Sequence, residues 1–120
     1  MHNFKKLEFW DKSICLVKDV YLVTNQFPKV EQFGLISQMQ RAAVSVSANI
    51  AEGSARGTNK DFSRFLRISL GSICELETLT IIAKELQYID NEIFDNLEKQ
   101  IHEIKRMIKG FQSQLKTSNV

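Results

Sequence analysis

Gln38-Met39-Gln40-Arg41-Ala42-Ala43-Val44-Ser45-Val46-Ser47-Ala48-Asn49-Ile50-Ala51-Glu52-Gly53 is the stretch whose reading decides the fold. At about 100° per residue, Leu35, Met39, Ala42, Val46, Ile50 and Gly53 fall on one helical stripe. Arg41, Ser45, Asn49, Glu52 and Arg56 fall in a polar row along its edge. Alanine, serine and glycine allow neighbouring backbones to come close, and an ordered polar row beside a close contact needs partners, because unpaired buried polar groups are costly. The row therefore reads either as a binding surface or as a network that holds helices in register.

Working outward, the segment before it predicts a first helix from about Phe9 to about Asn25. Leu7, Trp10, Ile14, Val17 and Tyr21 form its core stripe, and Leu16, Val20 and Val23 a second apolar strip. Pro28 ends that run, since proline disfavours helix at the residue before it, and the central helix begins between Glu31 and Leu35. After Gly53 the chain turns at Ser54-Ala55-Arg56-Gly57. Thr58, with Asp61 at capping-box spacing, opens a third helix that reaches about Tyr88. One side of it carries Phe62, Leu66, Ser69, Ile73 and Thr80, and another Ile68, Ser72, Leu79, Ile82 and Leu86. That apolar circumference exceeds what one bundle core covers, so assembly with further copies is expected.

Asp90 is the expected N-cap of a fourth helix whose Phe94, Leu97, Ile101, Ile104, Ile108, Phe111 and Leu115 recur in steps of three and four, a heptad seam. Its opposite face, Glu98, Lys99, Glu103, Arg106, Lys109 and Gln112, reads as solvated, and the tail after Lys116 as frayed. Four helices with short connections give an all-α, antiparallel up-down-up-down bundle, one domain over residues 1–120. Glu75 falls on the second apolar face of the third helix, where a buried carboxylate needs a cation. Arg41 is the expected partner, as a register lock or as part of a site, and its loss would then cost on the order of 3–5 kcal/mol.

Composition narrows the function. A 120-residue chain with 43% hydrophobic content builds one modest core, and a formal charge of +2 demands no polyanionic partner, so such a partner must be argued from where the charges sit. Cys15 and Cys74 stand far apart, no leader is visible and no run is apolar enough to span a bilayer; a cytoplasmic chain with free thiols is expected. Carboxylate-bridged di-iron bundles need Glu-x-x-His on two helices, and neither His2 nor His102 has a glutamate at that spacing. No phosphate loop, zinc spacing or nucleophile elbow occurs, and Ser45, Asn49 and Glu52 lack a base on their face. No catalytic residue, metal, cofactor or small-molecule substrate is expected.

Phe27-Pro28, Glu31, Phe33-Gly34-Leu35, Gln38, Arg41 through Val46 and Asn49 through Gly53, continued by Phe65-Leu66, Gly71-Ser72 and Glu75 through Thr78, resemble the four-helix-bundle family named after 23S rRNA intervening sequences. The similarity covers nearly the whole chain. The resemblance implies a small all-helical protein that assembles as a pentamer. A related group, the accessory proteins of diversity-generating retroelements, resembles the same bundle and binds a reverse transcriptase and nucleic acid. The chain departs from the family pattern at Gln40, where Arg-Arg is common, and at Ser47, where proline is common.

Charge placement says more than charge total. Arg56, Lys60, Arg64 and Arg67 crowd the second turn and the start of the third helix, the last three on one face by the i, i+4, i+7 rule, with Asp61 turned away. Repeated around a homo-oligomeric ring, this cluster would form a basic collar able to track RNA or DNA phosphates without reading sequence. Two readings follow: a non-enzymatic oligomeric scaffold for RNA, DNA or an RNA-handling protein, or a purely structural, protein–protein adaptor.

Overall fold

The computed structural model describes residues 2–117, and among them all regular structure is helical. The helices are α1 (Glu8–Thr24), α2 (Leu35–Ser54), α3 (Asn59–Glu85) and α4 (Asn91–Thr117), with short 3-10 turns at Phe4–Lys6 and Lys29–Glu31. The outermost tail, residues 118–120, lies outside the described residues, and the helix runs on through Lys116 to Thr117. Each helix packs on its neighbours in chain order and α1 closes on α4, so the cross-section is a square with the core down its middle. Short connections between packed neighbours reverse the chain at each corner, and the molecule measures 48 × 23 × 20 Å.

The central stripe is as expected: Leu35, Met39, Ala42, Val46, Ile50 and Gly53 are all buried. Gly53 is required there. A Cβ at this position would lie 2.7 Å from Phe65 Cβ and 3.0 Å from Phe62 Cδ1, so only glycine lets α2 and α3 approach this closely. Ser69 Oγ donates to Val46 O at 2.9 Å across the same contact, satisfying a hydroxyl that is fully buried. Thr58 and Asp90 cap as expected, accepting from Asp61 N at 3.1 Å and Ile93 N at 2.8 Å. Glu31 caps α2 through Leu35 N at 3.2 Å and takes the Tyr88 hydroxyl on its other oxygen at 2.9 Å, tying the first connection to the third.

α1 departs from expectation. Its buried line is Phe9, Ser13, Leu16, Val20 and Thr24, whereas Ile14 and Tyr21 are 42% and 46% exposed and Trp10 is half-buried against the core. Two small hydroxyl residues on the core line disguised its period. Both are satisfied by their own helix, Ser13 on Trp10 O and Thr24 on Val20 O, so they enter the core at little cost. The seam of α4 is buried as expected at Leu97, Ile101, Ile104, Ile108 and Leu115. Its outer face is not wholly solvated, because α4 is flanked by α1 and α3: Glu103 pairs with Lys12 at 2.9 Å, Gln112 donates to Ser63 O, and Glu98 is half-buried.

α3 stops at Glu85 rather than at Tyr88. Tyr88 N donates to Ala83 O and Gln87 N to Lys84 O, both at 2.9 Å, with Gln87 at φ 63°; this is the double closure normally built on glycine. A side chain in the left-handed region is strained, so Gln87→Gly is expected to stabilise the fold by about 0.5–1 kcal/mol in urea denaturation. Destabilisation would show that the Gln87 side chain contributes more than its backbone costs.

Candidate nucleic-acid interface

The turn at residues 55–58 and the first turns of α3 bring the basic residues together at one end of the bundle. Glycine at position 57, with φ 91°, makes the corner possible, and the Thr58 cap fixes where α3 begins. From there Lys60, Arg64 and Arg67 project along one face, all exposed. With Lys116 of α4 they line a cavity of about 640 Å³ whose floor includes Leu115. Lys116 comes from the far end of the chain and was not expected to take part. Asp61 is not turned away: it lines the same cavity and lies 3.9 Å from Arg64 Nε, leaving four cations to one carboxylate.

Arg56 does not line the cavity but is coupled to it through Phe65. Its guanidinium sits 4.8 Å from the Phe65 ring centroid and that of Arg64 4.6 Å from the same ring. The negative face of an aromatic ring holds a cation at this range and, on an exposed surface, contributes about 0.5–1 kcal/mol for each. Glu52 Oε2 steadies Arg56 from behind at 3.5 Å. Two long, otherwise mobile cations are thus held in place while their edges remain open to solvent. Phe65 enters the sequence reading only through the family resemblance; its role here depends on Arg56 folding back across the turn.

The polar row divides. Ser45 Oγ meets Ser72 Oγ at 2.8 Å, and Asn49 donates to both the carbonyl and the hydroxyl of Ser45, so these residues join α2 to α3. Arg41 and Glu75 do not share in this. Both are exposed, no ion pair joins them among the described residues, and Arg41 instead borders a shallow cavity with Tyr21, Gln40 and Val44. The expected buried pair is therefore corrected for the single chain: Leu76, Leu79 and Ala83 carry the core line, which turns Glu75 outward beside Ile68 and Ile82.

The profile of a family described as 23S rRNA-intervening sequence protein matches residues 5–110. No curated protein matches the chain significantly. Among solved structures, a protein of unknown function from the S23 ribosomal protein family of Bacteroides thetaiotaomicron is 22% identical. It covers 87% of this chain and 97% of its own, with a TM-score of 0.81, and so shares the fold.

Proposed function

The chain belongs to the 23S rRNA-intervening sequence protein family, and from that premise we propose that it is a non-enzymatic, cytoplasmic, homo-oligomeric scaffold that binds RNA or DNA phosphates without reading sequence. The observation that carries this reading is the Phe65-anchored basic cluster, Arg56, Lys60, Arg64, Arg67 and Lys116, at one end of the bundle. Pre-positioned cations lose less entropy on meeting a phosphate, and an open cavity admits a backbone rather than a buried small molecule. No helix among the described residues is long and apolar enough to cross a membrane.

Assembly supplies the multiplicity that one weak patch lacks. Ile68 and Ile82 on α3, Leu86 at its C-cap and Val44 on α2 are 41–50% exposed, an apolar line fit for a second copy, and the family resemblance implies five chains in the ring. Ile68→Glu/Ile82→Glu is expected to keep the helicity and reduce the mass in light scattering to that of one chain. An unchanged oligomer would place the interface elsewhere.

Fluorescence anisotropy with labelled RNA and DNA of equal length tests the binding itself, and comparable affinity for both is expected at low salt. Failure to bind either, in a correctly assembled protein, would leave the protein–protein adaptor.

A further inference from the structure

Away from the basic end, α3 and α4 bring together three groups that the proposed function does not use: Glu77, Glu98 and His102. His102 Nε2 lies 3.2 Å from Glu77 Oε2 and 3.1 Å from Glu98 Oε2. Glu98 and His102 are one helical turn apart on α4, and Glu77 reaches across from α3. We infer that these three side chains form a binding site for a divalent first-row cation of the zinc class, bridging α3 and α4 through one imidazole nitrogen and two carboxylate oxygens.

One imidazole nitrogen carries at most one hydrogen, yet two carboxylate oxygens converge on it. The second oxygen of Glu98, Oε1, is buried and has no hydrogen-bond partner. A cation placed between the three groups would bind both converging oxygens and compensate a poorly solvated carboxylate.

The dimensions agree. Ligands at about 2.0–2.1 Å from a tetrahedral zinc stand roughly 3.3–3.4 Å from one another, close to the nitrogen–oxygen separations observed. Glu77 is oriented from outside as ligating carboxylates are, because Lys105 Nζ holds its other oxygen at 3.0 Å. Glu77 and Glu98 are each 20% exposed and His102 is 59% exposed, so a cation has a path in and water can take the fourth position. Mixed nitrogen and oxygen donors favour zinc, cobalt or nickel over calcium or magnesium.

Titration of the chelator-treated, untagged full chain with Co2+, followed by visible absorption, tests the site directly. About one Co2+ per chain should bind with the spectrum of low coordination number, and Zn2+ should displace it. His102→Ala and Glu98→Gln, each verified as folded by circular dichroism, should weaken binding by at least about 10-fold. His2→Ala, at the only other histidine, should leave it unchanged. Absence of a spectrum in the parent, equal binding in folded His102→Ala, or loss in His2→Ala alone would each overturn the assignment.

Discussion

Gly53→Val is expected to destabilise the bundle by about 3 kcal/mol, the upper end of what overpacking a close-packed core costs. The clash is with atoms that cannot move aside: Phe65 Cβ at 2.7 Å and Phe62 O at 3.3 Å are fixed to the α3 backbone, and Phe62 is fully buried against Phe111 and His2. Separation of α2 from α3 would also strain the Ser69–Val46 hydrogen bond. Gly53→Ala sorts the causes, because alanine gains about 1 kcal/mol of helix propensity that offsets part of a smaller clash. Urea denaturation followed by circular dichroism reads both. A valine variant within about 0.5 kcal/mol of the parent would mean that the two helices are not in the contact described.

The larger functional effect is expected from Lys60→Glu/Arg67→Glu. These residues line the basic cavity, and reversing both puts two carboxylates where phosphates are proposed to sit while leaving the Phe65-held guanidiniums of Arg56 and Arg64 intact. Affinity for RNA should fall on the order of 100-fold at low salt, equally across sequences, because phosphate contacts position a nucleic acid without reading it. Stability should change by no more than about 0.5 kcal/mol, since both side chains are exposed. Circular dichroism and oligomer mass on the same variant separate a lost contact from a lost fold. Retained affinity in a folded, assembled variant would remove the basic cavity from the function.

What was legible in the sequence had a local cause. The α2 stripe, the α4 seam and the Thr58 and Asp90 caps each depend on residues within a few positions of one another, and each appears as read. The α1 line was obscured because Ser13 and Thr24 satisfy their hydroxyls on their own helix and so occupy core positions that look polar. Glu75 lies beside Ile68 and Ile82, which face outward in the single chain, whereas Leu79 of the same expected face turns into the core. The end of α3 was misjudged because a glutamine takes the left-handed position where glycine would have signalled it.

The candidate site shows the same division. Lys60, Arg64 and Arg67 share a helix face that spacing alone reveals. Lys116 joins them through the closure of α4 on α3, and Asp61 lines the same cavity 3.9 Å from Arg64 Nε, one turn away. The stacking of Arg56 and Arg64 on one ring depends on the turn at residues 55–58 folding back over α3. Likewise the Glu98–His102 spacing is visible in α4, but only the packing of α3 brings Glu77 to the same nitrogen.

The most direct test of the proposed function is the affinity of the assembled protein for a single-stranded RNA measured across a series of salt concentrations. Neutralising Z phosphates releases counterions, so log affinity should fall linearly with log salt, with a slope near −0.7Z that becomes shallower in Lys60→Glu/Arg67→Glu. A parent slope indistinguishable from zero, or one left unchanged by the double reversal, would contradict phosphate binding at the basic cavity.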